Sequence, residues 1–146
     1  MGSTRWVPRG GGDDIPGIGG IRHGDGTAVA RMTVTAAQVN GHRIAHGGCV
    51  FLFADTALAC ACNGDGPVTV AAGCDIDFVA PAYEGDVVVA TARERTRFGR
   101  SGIHDVRVVR AAPQRHSPGD RRRDEVIAEF RGRSRTLRGA QHEEPR

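Results

Sequence analysis

The sequence predicts an α+β fold in which one mainly antiparallel sheet curls around a single buried helix. One helical segment is apolar nearly all round, four segments after it show the two-residue alternation of strands, and no helical pattern separates those strands. Strands that follow one another without intervening helices pair antiparallel. A helix that is apolar on every side must be covered on every side, which a flat sheet cannot do.

A chain of 146 residues has room for one domain with one core. Residues 1–26 contain nine glycines and show no periodicity, so we predict a flexible loop segment there. The domain itself is expected at 27–138, and residues 139–146 form a second flexible tail.

The elements follow in order from local pattern. Residues 27–35 alternate polar and apolar side chains and predict a strand, and residues 40–48 are rich in turn formers. Residues 49–62 are rich in Ala and Leu and are followed by Asn63 and Gly64, which predicts a helix that ends there. The later strands are predicted at 68–79, 86–98, 102–111 and 125–137, with a polar loop at 113–124.

Composition excludes some classes of function. The net charge is +3, all 20 basic residues are arginines spread along the chain, and aromatic residues make up 5%, unlike a nucleic-acid-binding patch. No apolar run approaches the roughly 18 residues that span a membrane. The first residues lack the apolar stretch of a secretion signal, so we expect a cytoplasmic protein with its four cysteines reduced.

Asp55 is the main candidate for chemistry, because it lies in the middle of the apolar helix. Burying an unpaired carboxylate costs several kcal/mol or raises its pKa, so such a residue is seldom kept without use. The alternative is a structural role, in which Asp55 pairs with an arginine or bonds a backbone group.

His46, Gly47 and Gly48 precede that helix and form a candidate oxyanion hole. Glycine lets a substrate approach the backbone, and the free N–H groups of a first helical turn favour negative charge. An ordinary glycine-rich helix start is the alternative.

Gly47 and Asp55 are eight residues apart, which is about 12 Å along a helix. One reacting carbonyl needs both groups at about 3 Å, or roughly double through a water. We therefore expect a two-fold dimer in which Asp55 of one protomer faces Gly47 of the other.

Several separated motifs resemble one known family. They are NGHRIAHGG from residue 40, FADTALACACN from 53, CDIDFVAP from 74, GRSGIHDV from 99 and IAEFRGRS from 127. Together they resemble the PaaI-type phenylacetate-degradation thioesterases of the hotdog-fold superfamily. The resemblance implies a hotdog fold, a homodimer that pairs into a homotetramer, and hydrolysis of phenylacetyl-CoA, hydroxyphenylacetyl-CoA or similar medium-sized acyl-CoA.

The resemblance also implies roles for individual residues. Asp55 matches the catalytic aspartate, acting as nucleophile or as the base that activates water, and Gly47 matches the glycine that polarises the carbonyl. Asn40 and His46 match residues that position substrate or water and support the loop. Expected substrate contacts are Gly48, Gly73, Cys74, Gly99 and Arg100, with Arg100 as a coenzyme A contact and Gly73 in a lining role at most.

Other features receive plainer interpretations. The cysteines and remaining histidines show no ligand spacing, so we expect no metal and no cofactor beyond the coenzyme A of the substrate. Arginines alternate at 93, 95, 97 and at 131, 133, 135, which would form a phosphate-binding ridge if those strands were neighbours; a solvated face is the alternative.

Two further points stay open at this stage. Family members have a helix and a strand before residue 27; if no strand forms at 15–22, one sheet edge and part of the acyl pocket are shortened. The functional alternatives are a non-catalytic acyl-CoA binding protein of the same fold and a hotdog hydroxyacyl dehydratase.

Overall fold

The computed structural model describes residues 18–63, 67–111 and 125–138, with the backbone alone for residues 18–20, 22 and 23. These ranges contain six strands, one α-helix and a short 3-10 turn at Ala36–Gln38. The strands are β1 (Ile18–Gly24), β2 (Thr27–Thr33), β3 (Thr69–Phe78), β4 (Val87–Phe98), β5 (Ser101–Arg110) and β6 (Glu125–Thr136), and the helix is α1 (Gly47–Cys62).

All six strands form one antiparallel sheet in the order β1-β2-β4-β5-β6-β3. The chain therefore passes from β2 through α1 to the far edge of the sheet, where β3 pairs only with β6. This arrangement confirms the predicted α+β class with a single central helix. It leaves β3 as an edge strand beside the helix.

The core lies between α1 and the inner face of the sheet. In β2, alternate residues Ala28, Ala30 and Met32 are buried. In α1 the buried residues lie on one side of the helix, whereas Leu52 on the other side is 46% exposed, so a single chain does not cover the apolar helix all round as expected. Small side chains let the two layers approach closely. At Gly132 of β6 an added Cβ would lie 2.5 Å from Cδ2 of Leu58, which is itself 1% exposed.

The N-terminal prediction was wrong for part of its range. Within the predicted loop of residues 1–26 the structure has strand β1, which pairs with β2 through a tight turn at Asp25 and Gly26. Both turn residues have positive φ, 49° and 75°, as two-residue hairpin turns require. The strand is held by backbone pairing, and its glycine-rich sequence hides the alternation that would have revealed it. The sheet edge is therefore formed at 18–24.

Other boundaries match the predictions to within two residues. The helix begins at Gly47 instead of residue 49, and it ends at Cys62 as predicted, with Asn63 as the residue after its last turn. The Asn63 side chain donates to the carbonyl of Ala59 and exchanges hydrogen bonds with the backbone of Thr69. Residues 1–17, the loop at 113–124 and the tail at 139–146 lie outside the described residues.

Candidate active site

The loop that leads into α1 is fixed by Asn40. Its side-chain oxygen accepts hydrogen bonds from the backbone N–H groups of His42 (2.8 Å) and Ile44 (3.2 Å). Its own N–H donates to the carbonyl of Ile44, and the carbonyl of Asn40 accepts from Arg43, which has a φ of 62°. Asn40 therefore supports the loop, as the resemblance implied, while its side-chain NH₂ group has no acceptor among the described residues.

His46 connects this loop to the helix. Its N–H donates to the carbonyl of Gln38, whose side chain is buried and accepts the N–H of Thr35. The carbonyl of His46 accepts the N–H groups of Cys49 and Val50. The His46 imidazole is exposed at the helix N-terminus.

Gly47 and Gly48 supply the free donors of the first turn. Among the residues that the structure describes, neither N–H has an acceptor, and the first turn carries no acidic side chain. Because these amides lie at the positive end of the helix dipole, they form a site for an oxyanion. The predicted location of the oxyanion hole is geometrically available.

Phe78 lies directly against Gly47. An added Cβ at Gly47 would be 3.0 Å from Cζ of the Phe78 ring, whereas one at Gly48 would meet no atom within 4 Å. The ring of the last β3 residue thus occupies the place of a side chain at Gly47. Sequence analysis did not identify Phe78, because its proximity to Gly47 depends on how β3 lies along the helix.

Asp55 lies half-buried two turns further along α1, and burial raises the pKa of its carboxyl group. Within the described ranges, no arginine and no N–H group is hydrogen-bonded or ion-paired to this carboxylate. The alternative, in which Asp55 pairs with an arginine or a backbone group for structural reasons, is therefore not supported by the described residues. An unpaired carboxylate with a raised pKa is suited to act as a base or nucleophile.

Cys74 and Gly73 lie on opposite faces of β3. Burial raises the pKa of the Cys74 thiol and the charge of Asp55 raises it further, so Cys74 faces the helix near Asp55. An added Cβ at Gly73 would lie 2.6 Å from Nη2 of Arg133, whose guanidinium pairs with Asp75 on the outer face. Cys74 thus lies on the side of β3 that packs against the core, whereas the position of a side chain at Gly73 is directed toward Arg133 on the outer face.

Gly99 and Arg100 lie at the other end of the helix. They form the turn between β4 and β5, where Gly99 has a φ of 59° and Arg100 Nη1 lies 3.5 Å from the carbonyl oxygen of Thr136. A small cavity of about 10 Å³ beside this turn also reaches Cys62, the last residue of α1. Within one chain, this turn and the Gly47 amide are at opposite ends of the helix.

The condition for an arginine ridge, that β4 and β6 are neighbours, is not met. Strands β4 and β6 are separated by β5, whose Asp105 accepts ion pairs from Arg95 (3.4 Å) and Arg131 (2.8 Å). A register shift between Glu94 and Thr96 moves Arg97 to the inner face, opposite Gly102. The outer face has a groove of about 670 Å³. Its lining contains four arginines and four carboxylates, and Arg95, Arg107 and Arg131 form cross-strand ion pairs, so the charges of the groove balance.

His104 is a buried polar residue that sequence analysis did not single out. It is 1% exposed, and its Nε2 lies 3.6 Å from Sγ of Cys62. Burial lowers the pKa of the imidazole, and burial raises the pKa of the Cys62 thiol to about 11. A thiol with that pKa is protonated at neutral pH, so this pair is not a nucleophilic centre.

No group of three or more His, Cys, Asp or Glu side chains with metal-binding geometry occurs in the described part of the chain. In the same ranges, no helix is long and apolar enough to cross a membrane.

Comparison with known proteins gives consistent results. The family model described as "Thioesterase superfamily" matches residues 42–115. The acyl-coenzyme A thioesterase PaaI of Escherichia coli (strain K12) is 40% identical over 123 residues, covering 84% of this chain and 80% of that protein.

Solved structures show the same relationship. The E. coli PaaI protein from the phenylacetic acid degradation operon superimposes with a TM-score of 0.70 at 38% identity, covering 84% of this chain and 80% of that chain. A mutant of the phenylacetic acid degradation protein PaaI from Thermus thermophilus gives a TM-score of 0.70 at 30% identity, covering 83% and 94%.

One central helix, an antiparallel sheet and a glycine-rich helix start followed by a half-buried aspartate define a hotdog-fold thioester hydrolase. The chain belongs to the thioesterase superfamily and, within it, to the PaaI type. The resemblance seen in the sequence motifs is thereby confirmed.

Proposed function

We propose that this chain hydrolyses acyl-CoA thioesters with medium-sized acyl groups such as phenylacetyl or hydroxyphenylacetyl, releasing the free acid and coenzyme A. The observation that carries the proposal is the unpaired, half-buried Asp55 on the helix whose first-turn amides at Gly47 and Gly48 are free. The 40% identity to an acyl-coenzyme A thioesterase supports the substrate class.

In the proposed mechanism the N–H of Gly47 donates to the thioester oxygen as negative charge develops on it. Asp55 either attacks the carbonyl carbon or removes a proton from the attacking water. The carbon–sulfur bond then breaks and coenzyme A leaves as a thiolate. If Asp55 is the nucleophile, the acyl group is left on it as a mixed anhydride, which water hydrolyses to the free acid and the carboxylate of Asp55. If Asp55 is the base, the water oxygen becomes part of the free acid directly. His46 and the free NH₂ group of Asn40 lie on the loop beside this amide and position the substrate or water. No metal or cofactor takes part.

The site is proposed to be shared between two protomers. Gly47 and Asp55 are about 12 Å apart along one helix, which is too far for both to reach one carbonyl. The exposed edge of β3 offers ten residues for pairing with a second copy, and Val70 within it and Val79 just after it are exposed apolar residues. Such a dimer places Asp55 of one protomer near Gly47 of the other. Two dimers then form the tetramer.

Coenzyme A is proposed to lie along the turn at Gly99 and Arg100. The guanidinium of Arg100 is exposed and has a single 3.5 Å contact, so it is available to a phosphate group. With antiparallel helices across the dimer, this turn lies near the partner's oxyanion amide. The reaction is placed in the cytoplasm, where thiols stay reduced.

The substitution Asp55→Asn tests the proposal. It should lower kcat for phenylacetyl-CoA by at least about 10²-fold, as expected for loss of a base or nucleophile, while the thioester still binds. The control Asp25→Asn changes an exposed aspartate in the β1–β2 turn and should retain full turnover.

Release of free thiol is the readout, and binding is followed separately by calorimetry. Wild-type protein that binds the thioester without releasing thiol would favour the non-catalytic alternative. Turnover by the Asn variant equal to that of the wild type would remove Asp55 from the mechanism.

A further inference from the structure

Phe78 combines two properties that rarely occur together. Its ring is 55% exposed, yet the ring tip is in close contact with the backbone of Gly47, with Cζ 3.0 Å and Cε2 3.4 Å from the position of an added Cβ. One side of the ring is therefore held against the start of α1 while much of its surface is open.

The backbone around this ring is fixed. Phe78 is paired with Ala128 of β6, and the next two N–H groups, of Val79 and Ala80, both donate to the carbonyl of Ile127. The backbone that carries the ring is thus anchored beside the helix, and it places the ring against Gly47. Its exposed surface is a preformed apolar wall.

In the proposed mechanism, the acyl group of the substrate lies beside this exposed surface of Phe78. If the N–H of Gly47 holds the thioester oxygen at about 3 Å, the carbonyl carbon and the first atoms of the acyl chain lie within a few ångströms of the same glycine. The acyl chain then runs beside the Phe78 ring. An aromatic group can pack edge-on or offset against such a ring, which a short alkyl chain cannot do.

We infer that Phe78 is a specificity-determining residue that selects acyl groups with an aromatic ring one or two carbons from the thioester carbonyl. The inference rests on the proposed function and names the residue that sets its acyl preference. Phe78 touches the acyl group and takes no part in bond breaking. Loss of its ring therefore changes the ratio of rates between substrates more than it changes the reaction itself.

The test compares kcat/KM for phenylacetyl-CoA and butanoyl-CoA in the full-length protein, using free-thiol release. Phe78→Leu should lower the phenylacetyl-to-butanoyl ratio by about three- to tenfold, the range expected for losing one aromatic pair. Phe78→Tyr keeps the ring and should keep the ratio. The control is Val29→Ala, since Val29 is a 40% exposed apolar residue on the outer face of β2, which is directed away from α1.

The other possible results of this experiment would contradict the inference or the proposed function. An unchanged ratio in Phe78→Leu, or an equal loss for both substrates, overturns the inference, and so does a similar change of ratio in Val29→Ala. A melting temperature within a few degrees of wild type shows that Phe78→Leu is folded. If the wild type releases no thiol from either substrate, the proposed function fails instead, which is a distinct result from a changed or unchanged ratio.

Discussion

The contact between Phe78 and Gly47 makes a prediction about the stability of two adjacent glycines. Alanine is a better helix former than glycine by about 0.5–1 kcal/mol, so Gly→Ala in the first turn is favourable where there is room. At Gly48 nothing lies within 4 Å of the added methyl group, so Gly48→Ala should raise the free energy of unfolding by about 0.5 kcal/mol.

Gly47→Ala should behave differently. Its methyl group would sit 3.0 Å from the Phe78 ring, so the ring has to retreat by a few tenths of an ångström from an anchored strand end. Such overpacking costs about 1 kcal/mol or more, which cancels or exceeds the helix-propensity gain. The two variants should therefore differ by about 1 kcal/mol, which is several degrees in Tm for a domain of this size.

A double-mutant cycle identifies the cause. In a Phe78→Ala background the obstacle is gone, so Gly47→Ala should become as stabilising as Gly48→Ala, giving a coupling of about 1 kcal/mol between positions 47 and 78. Urea unfolding of the four variants supplies the numbers. Equal effects of both alanines in the wild-type background, or no coupling to Phe78, would refute the reasoning.

Three further predictions concern buried groups. Burial raises the pKa of Asp55, so the folded protein loses stability as pH rises through that pKa. The Asp55→Asn variant, which has no charge to bury, should therefore have a higher Tm than wild type at pH 7. A Tm below that of wild type would contradict this. Gly132→Ala should lower the free energy of unfolding by about 1–3 kcal/mol, because its methyl group meets the buried side chain of Leu58. Gly41→Ala is the control: its methyl group meets no atom within 4 Å, so it should change the free energy of unfolding by less than about 0.5 kcal/mol. Chemical unfolding of both variants measures the difference. Burial lowers the pKa of His104 below 6.5, so the unfolded chain binds the proton more readily and stability should fall as pH drops below 6.5. His104→Asn should flatten that slope in thermal melts, and identical slopes would exclude His104 as its source.

Most of the element order could be predicted from the sequence, because alternation in β2, β4, β5 and β6 and the Ala-rich helix are local patterns. Strand β1 could not be predicted, because its glycine-rich sequence shows no alternation of polar and apolar side chains and the strand is held by backbone pairing. Whether the two runs of arginines would meet depended on strand order, which the sequence does not show: β5 lies between β4 and β6, and a bulge at Glu94–Thr96 moves Arg97 to the other face of the sheet.

Some residues of the candidate site could likewise be predicted from the sequence, and others could not. Asp55 and Gly47 were recognisable from sequence, because a carboxylate in an apolar helix and glycines before it are anomalies of the local pattern. Phe78 and His104 could not be recognised from the sequence, because an aromatic residue at the end of a strand and a single histidine are common and do not by themselves indicate a site. Their importance comes from what they touch, Gly47 in one case and Cys62 in the other.

A mixture of two inactive chains tests most directly whether the site is shared. One chain carries Asp55→Asn; the other carries Gly47→Pro, which removes the amide at a first helical position where proline is tolerated, and His46 before it has a compatible ψ of 137°. Refolded together in equal amounts, they should regain about a quarter of wild-type turnover, because half of the dimers are hybrids with one intact site each. Hybrids that form but release no more thiol than either parent would show that Asp55 and Gly47 do not act across the interface.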